Sequence, residues 1–310
     1  VTDIWVYAYR SGAWVQIPFQ LDQKDASGNY FVADSDPTFD SNDELVWMAK
    51  DMGDQVTNDV WPSDLASQGF TRYEVQVANS LDATKKSWAY AYRSNTLTKT
   101  FTADYAAYTH GTTDSLVTEG YTLGYDSSGQ LVTTRINSSG GGNDVDILDR
   151  QKVRVTVKVL FLSFNYTEND FPGTTEALVV GAVRVLTKRS VNGPTGPATS
   201  YSAYYSHEAI GLSATDIVSG ITFLRGSADL NNAAVGMHMY DDYNAAGALI
   251  DGNPDGGLIT TAPSYVVASG TPGTLIAIGD ITGVGGTSSL YYKDNGSFDS
   301  GDTGDGRSFG

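Results

Sequence analysis

Alternation of apolar and polar side chains is the feature that most restricts how this chain can fold. It runs through residues 14–21 (WVQIPFQL), 72–77 (RYEVQV) and 152–160 (KVRVTVKVL). Because successive side chains of a strand point to opposite faces of a sheet, the pattern predicts antiparallel strands with one buried face. Further strands are predicted at residues 87–93, 119–125, 131–136, 177–187, 200–207, 237–240, 258–261, 274–278 and 289–292.

Helical periodicity is almost missing from the sequence. The best helical candidate is a short turn at 213–218, where Ser213 and Asp216 have the spacing of a capping box. Many short strands joined by Gly, Asn, Asp and Ser turns are typical of sandwiches. We therefore predict an all-β fold of the antiparallel β-sandwich type, as one sandwich or two packed sandwiches, with long Asp/Gly-rich loops.

A glycine-rich segment suggests one division of the chain. Residues 137–144 (NSSGGGND) contain three glycines and no apolar side chain, a composition typical of a flexible connection. The predicted organisation is an N-terminal β-sandwich region (1–136), this connection (137–144) and a C-terminal β region (145–310). A long hairpin loop inside one continuous domain would have the same composition.

Three loops combine carboxylates and carboxamides with small residues, which points to calcium. Ca²⁺ takes about 6–8 oxygen ligands, and Asp or Asn residues one or two positions apart can aim several oxygens inward. Residues 251–256 (DGNPDG) have the alternation of a calcium loop but lack the downstream Glu of an EF-hand. Solvated acidic loops are the alternative interpretation. The predicted ligands are Asp34, Asp36, Asp40, Asn42, Asp43 and Glu44 in the first loop, Asp251, Asn253 and Asp255 in the second, and Asp294, Asn295, Asp299, Asp302 and Asp305 in the third.

Charge and composition restrict the partners and the location. The net charge of −17 argues against nucleic acid or an anionic membrane, since both would repel this chain. The sequence has no cysteine and no apolar run long enough for a membrane helix. Few lysines, three glycosylation sequons (at Asn137, Asn165 and Asn295) and calcium-type loops favour a secreted or cell-surface protein.

Two segments near the N-terminus carry a resemblance. Residues 14–22 (WVQIPFQLD) and 39–51 (FDSNDELVWMAKD) resemble the opening of a group of large secreted bacterial proteins with W-x-Q-[IV]-P-x-Q-[VIL]-D and F-D-x-[ND]-D-E-[LV]-V-x-M-A-x-D stretches. The end of the chain, YYKDN and DTGDGRSFG, is similar to their C-terminal end. The specific part of the resemblance covers about fifty residues. It implies a secreted bacterial or archaeal origin and supplies no catalytic residues.

The histidines and tryptophans offer weaker signals. His110, His207 and His238 are scattered, and each is expected to be a surface or hydrogen-bonded strand residue. Met237 and Met239 flank His238, so either this segment binds copper or haem, or the two methionines pack into the core. The tryptophans are expected to be core anchors, with sugar stacking as the alternative. They are Trp5, Trp14, Trp47, Trp61 and Trp88.

No motif of a known catalytic centre is present. Whether the chain is an enzyme therefore stays open, and a non-enzymatic protein is favoured. The leading hypothesis is a non-enzymatic extracellular structural protein of a sheath, filament or surface layer that self-associates and is stabilised by Ca²⁺. The alternatives are a carbohydrate-binding or carbohydrate-active β-sandwich protein and, third, a periplasmic haem or copper electron-transfer sandwich. Residues 4–9 alternate two apolar or aromatic faces, so this strand is expected either inside its own sandwich or inserted into a neighbouring subunit.

Overall fold

A computed structural model describes residues 3–30, 38–215, 220–279, 286–295 and 306–310. The protein is all-β, with 53% strand, 5% helix and no described helix of seven or more residues. None of the described helices is long and apolar enough to cross a membrane. The all-β prediction is confirmed, whereas the predicted helical turn at 213–218 is wrong as far as Thr215, because a strand ends there. Residues 216–219 lie outside the described residues.

Most strands are short, and single turns of 3₁₀ helix lie in some of the connections between them. The 3₁₀ turns cover Ala49–Asp51, Ser67–Gly69, Ser138–Gly140, Glu168–Asp170 and Asn232–Ala234. The first twelve strands are β1 (Ile4–Arg10), β2 (Ala13–Gln16), β3 (Phe19–Asp22), β4 (Glu44–Trp47), β5 (Tyr73–Asn79), β6 (Asp82–Arg93), β7 (Ala106–Thr109), β8 (Asp114–Thr118), β9 (Tyr121–Tyr125), β10 (Leu131–Ile136), β11 (Leu148–Val159) and β12 (Leu162–Thr167). The others are β13 (Gly173–Val180), β14 (Val185–Gly193), β15 (Gly196–Tyr204), β16 (Ala209–Thr215), β17 (Ile221–Leu230), β18 (His238–Asp241), β19 (Ala248–Leu249), β20 (Tyr265–Gly270), β21 (Gly273–Ile278), β22 (Tyr292–Asp294) and β23 (Arg307–Phe309).

These strands form several antiparallel sheets. Their orders are β2-β1-β6-β5, β3-β4, β10-β9-β8-β7, β12-β11-β17-β23-β22, β13-β14-β15-β16 and β19-β18-β20-β21. Several predicted strands differ from the observed ones. The run 177–187 is divided between β13 and β14, and the run 289–292 overlaps β22 only at Tyr292. The run 14–21 is split at Pro18, which has no N–H to continue a ladder, and 258–261 contributes only an isolated bridge from Thr261 to Ser289.

The chain divides into two compact units. The first contains residues 1–107 and 177–185, and the second contains 108–176 and 186–310. This division does not coincide with the predicted connection at 137–144, which lies inside the second unit. There the chain makes its own turn, in which the Gly142 N–H donates to the Asn137 carbonyl (3.0 Å) and the Asp144 N–H to the Ile136 carbonyl (3.1 Å). The segment is an ordered connection between β10 and β11.

Strand β1 lies in the middle of the first unit. It pairs with β2 on one side and with β6 on the other, with Tyr7 opposite Gln16 and Tyr90. One face of β1 places Val6 and Ala8 in a cluster with Ile17. The other face belongs to an aromatic cluster that contains Tyr7, Tyr90 and Tyr92. The structure therefore selects the internal alternative for this strand, and its edges are not open to a neighbouring subunit.

The core of the second unit is aliphatic. It joins side chains from three sheets or their connections, and it contains Ile147, Leu230 and Ile250 at 1–2% exposure. Met237 and Met239, both fully buried, belong to the same cluster. The prediction that these methionines pack into a core is confirmed.

Ile17→Ala is expected to lower the free energy of unfolding of the first unit by about 2–5 kcal/mol, because it leaves a cavity in the cluster with Val6 and Ala8. The control is Val15→Ala, at a neighbouring position that is 41% exposed, with an expected change within about 0.5 kcal/mol. All five tryptophans lie in this unit, so urea unfolding can be followed by tryptophan fluorescence. Equal losses for the two variants would contradict the assigned core.

Candidate functional site

Two of the predicted acidic loops meet in the second unit. They border a cleft of about 280 Å³, open to solvent, between residues 254–260 and the strand β22. Asp255, Asp294 and Asn295 supply oxygen atoms to its wall, and Leu258 and Leu290 supply apolar surface. The sequence predicted the acidic residues of this site but not that the second and third loops would share it.

Asp294 holds the two loops together. Its carboxylate is 2% exposed and accepts the backbone N–H of Asp251 (2.7 Å) and of Gly252 (2.9 Å). Gly252 has φ of +86°, a left-handed conformation that favours glycine. The Asp251 side chain in turn accepts the N–H of Asn253 (2.8 Å). Asp294 is therefore an anchor for the 251–257 loop, and its negative charge faces two backbone donors.

Tyr292 gives the cleft its electrostatic character. Burial raises the pKa of this phenol well above its ordinary value, and the negative charges of Asp294, Asp255 and Asp251 add to the effect. Tyr292 is thus a neutral hydroxyl beside several carboxylates. Lys293 lines the same cleft and offsets part of this negative charge. The Tyr292 hydroxyl can donate a hydrogen bond to a neutral polar group.

The described residues do not assemble a complete metal site. No group of three or more acidic or histidine side chains within them could hold a metal ion. Asp251, Asn253 and Asp255 are exposed, and Asp294 is buried beneath their loop. Asp299, Asp302 and Asp305 lie outside the described residues, so calcium binding at this cleft stays a prediction.

In the first acidic loop, carboxylates accept hydrogen bonds from nearby backbone N–H groups. Asp43 accepts the N–H of Lys24 (2.9 Å) and of Asp40 (2.8 Å), and Asp40 accepts the N–H of Asn42 (3.0 Å). The Asn42 side chain donates to the carbonyl of Asp25 (2.8 Å). These are the local bonds by which Asp and Asn stabilise tight turns. Asp34 and Asp36 lie outside the described residues.

Glu44 belongs to a cluster of charges, which we call the Arg184 cluster and which contains Asp22, Lys24, Glu44 and Arg184. Arg184 donates from Nε to Asp22 (2.8 Å) and forms an ion pair with Glu44, which also pairs with Lys24. Tyr30 donates its hydroxyl to Glu44 (3.0 Å). Glu44 therefore has cationic partners from the chain itself. Sequence reasoning missed Arg184, because nothing in residues 177–187 indicates which loop it meets.

The Arg184 cluster shifts its two carboxylates in opposite directions. Burial raises the pKa of Asp22 above its ordinary value, and Arg184 offsets only part of that shift. Burial also acts to raise the pKa of Glu44, but hydrogen bonds from Lys24, Arg184 and Tyr30 outweigh it and hold the pKa below its ordinary value. Glu44 is thus the carboxylate that stays ionised in mild acid.

A serine, a histidine and a glutamate come together in the second unit without forming a usable catalytic triad. Ser206 Oγ lies 2.6 Å from a Glu119 carboxylate oxygen and 2.6 Å from His207 Nδ1. Ser206 is fully buried, so its hydroxyl cannot reach a substrate. Glu119 Oε2 also lies 4.0 Å from the same His207 Nδ1, whereas a catalytic triad places the serine and the carboxylate at opposite ring nitrogens of the histidine.

The other histidines and the tryptophans have structural surroundings. His110 is exposed and lies 2.7 Å from Asp114. His238 stacks on Tyr240, on the face of β18 opposite to the buried Met239, so the Met-His-Met segment cannot direct all three side chains to one ion. The five tryptophans all pack against the two clusters of the first unit, as predicted for core anchors.

No protein-family model matches the chain, and no curated protein matches it.

Glu44→Gln is expected to lower the stability of the first unit by about 1 kcal/mol at about pH 7, after allowance for its partial exposure to solvent. Because the folded pKa of Glu44 lies below the ordinary value of 4.5, its contribution is present above that pH and is lost as pH falls through the lowered pKa. Wild type and variant should therefore converge in urea unfolding at acid pH, below the lowered pKa of Glu44. Glu176→Gln, an exposed control, should change little at either pH. A difference that is the same at both pH values would contradict the ion-pair role.

Proposed function

We propose that this chain is a non-enzymatic structural protein of the cell exterior that associates with copies of itself, with Ca²⁺ as a stabilising ion. The observation that carries the proposal is an apolar hairpin on the surface of the second unit. Leu160 and Phe161, at the turn between β11 and β12, are 90% and 89% exposed. Contiguous exposed apolar surface of this kind marks interaction sites in soluble proteins.

The apolar surface continues from the turn along the strands. Val159 pairs with Leu162 and Val157 with Phe164, so their side chains share one face. Val159, Leu162, Phe164 and the neighbouring Leu224 are 43–59% exposed. Strand β12 is also the edge of its five-stranded sheet, so one row of its backbone donors and acceptors is open. An edge with these properties is suited to adding a strand from another molecule.

Charge favours a second copy as the partner. The chain has a net charge of −17, so two copies repel each other over most of their surfaces. Residues 154–167 contain Arg154 and Lys158 and no carboxylate. This hairpin is therefore a place where two acidic copies can touch at low electrostatic cost. Arg154 is paired with Glu168 of the same chain, and the exposed Lys158 is complementary to the acidic surface of a neighbour.

The alternatives have less support from the described residues. A sugar-binding surface built on tryptophan would need an exposed ring, and the five tryptophans are packed against the clusters of the first unit. An electron-transfer centre at 237–239 would need ligands on one face of the strand, whereas Met239 and His238 lie on opposite faces.

Leu160→Asp should weaken self-association at least about tenfold, since burying one leucine contributes about 1.5–3 kcal/mol. Leu160 has φ of +56°, which Asp tolerates better than Leu, so the fold should persist. The control is Leu81→Asp, a 95% exposed leucine at the turn between β5 and β6, and it should leave association unchanged. Sedimentation velocity and negative-stain microscopy measure both variants. A wild-type protein that stays monomeric at high concentration, or equal effects of the two variants, would overturn the proposal.

Calcium should raise the melting temperature if the acidic loops bind it only in the folded state. At 100 times its dissociation constant the ion would add about 2.7 kcal/mol per site. Asp255→Asn, in the wall of the cleft, should reduce this effect, whereas Asp59→Asn, outside the three loops, should preserve it. Identical melting curves in chelator and in excess calcium would remove calcium from the proposal while leaving the association test intact.

A further inference from the structure

One buried pair of opposite charges lies inside the second unit. Lys152 on β11 and Asp229 on β17 place Nζ and Oδ2 3.0 Å apart, with side-chain exposures of 1% and 0%. The two strands are hydrogen-bonded neighbours in one sheet, with Lys152 opposite Ser227 and Asp229 two residues further along the same face. Lysine is almost never buried to this degree unless it is paired with an opposite charge.

A third polar group completes the arrangement. Ser308 on β23 pairs with Asp229 across the next ladder, and its Oγ donates to Asp229 Oδ1 (3.0 Å). Ser308 is 1% exposed. The carboxyl group of Asp229 therefore has an amine beside one oxygen and a hydroxyl beside the other. Leu230 and Phe309, next to these residues in sequence, belong to the aliphatic core.

The surroundings of this pair exclude water. Two separated charges lose several kcal/mol of hydration each when water is excluded. Transfer of one proton from the ammonium to the carboxylate removes both charges and leaves an amine facing a carboxylic acid. These are the two reactants of amide formation, held at contact distance on adjacent strands.

We propose that Lys152 and Asp229 condense into an intramolecular isopeptide bond that crosslinks β11 to β17. The Lys152 amine attacks Cγ of the protonated Asp229 side chain, and the negative charge of the tetrahedral intermediate develops on Oδ1, where Ser308 donates its hydroxyl hydrogen bond. The nitrogen passes a proton to the Oδ2 hydroxyl, the bond from Cγ to Oδ2 breaks and one water leaves. A new bond from Nζ to Cγ remains, and no oxidant, reductant or further reactant is consumed.

Position and exclusion of water supply the driving force. Well-oriented groups in one molecule can react as though each were present at about 10⁵–10⁸ M, which compensates for the unfavourable condensation of free amines and acids in water. A donor fixed beside the developing negative charge accelerates such steps. The product is a neutral amide that costs far less to bury than two ions. A covalent link between strands would also suit a protein that bears load, although the chemistry does not depend on that role.

The intact mass of the purified, denatured wild-type protein tests the proposal directly. The expected mass is lower than the sequence mass by one water molecule, and digestion should yield a branched peptide that joins the segments around Lys152 and Asp229. A wild-type protein with its full sequence mass after prolonged incubation in the folded state would overturn the proposal and leave an ordinary buried ion pair.

Variants separate this bond from other losses of water. Asp251–Gly252 and Asp255–Gly256 can form cyclic imides with the same mass loss, but Lys152→Met would not prevent those. Lys152→Met should restore the full mass, and Lys158→Met, a control at an exposed position of the same strand, should keep the deficit. A deficit that survives in Lys152→Met would overturn the assignment.

The chemistry of the leaving group and of the serine can be tested in the same way. Asp229→Asn can form the same amide only by releasing ammonia, so its deficit should be one ammonia or nothing, and a full water would contradict the mechanism. Ser308→Ala should slow the appearance of the crosslink in freshly folded protein by about 10²–10³-fold if the hydroxyl stabilises the intermediate. A rate equal to that of the wild type would remove Ser308 from the mechanism.

Discussion

The buried guanidinium of Arg184 is the charge on which the first unit depends. It follows a turn at Gly181, where a Cβ would lie only 2.4 Å from the Gln20 amide oxygen, so the chain can approach this closely only as glycine. Gln20 accepts the backbone N–H groups of Val183 (2.8 Å) and Arg184 (2.9 Å), and Asp22 and Glu44 neutralise the guanidinium. Loss of the Asp22 carboxylate, which is 1% exposed, would leave part of a buried charge uncompensated, which costs more than the pair contributes. This cluster attaches 177–185 to strands β3 and β4, far away in sequence.

The Arg184 cluster also explains polar residues of two N-terminal segments, 14–22 and 39–51. Gln20, Asp22 and Glu44 lie within those segments, and all three meet Arg184 or its backbone. Gln16, in the first segment, accepts the Thr100 N–H (2.6 Å) and donates to the Thr98 carbonyl (3.1 Å). Contacts within the folded chain therefore explain the polar residues Gln16, Gln20, Asp22 and Glu44 of these segments. A run of Asp and Glu before a strand is compatible with a calcium site and with a hydrogen-bonded turn alike. Both arrangements need carboxylate oxygen atoms that point into the loop.

Alternation predicted the strands well, since β5, β6, β10, β11 and β21 all contain the predicted runs or nearly coincide with them. It could not predict which faces meet other protein. Residues 159–164 (VLFLSF) have the composition of a core strand, yet they form the most exposed apolar turn among the described residues of the second unit. Likewise, the pattern of residues 4–9 required two covered faces but could not name β2, β6 and the two clusters that cover them. Pairing between distant strands is a property of the whole fold, and a local pattern carries little information about it.

Strand β11 carries cationic residues both in the interior of the second unit and at its surface hairpin. Residues 154–167 leave the hairpin without a carboxylate, while the same strand β11 buries Lys152 against Asp229 a few residues earlier. Force applied to an assembled hairpin would pass along β11 to its neighbour β17, and hydrogen bonds alone would then resist strand separation. A covalent bond between these two strands would resist it irrespective of salt and pH, whereas the acidic surface responds to both. The proposed attachment at the hairpin and the proposed crosslink within the sheet would therefore be mechanically complementary, although each can be tested without the other.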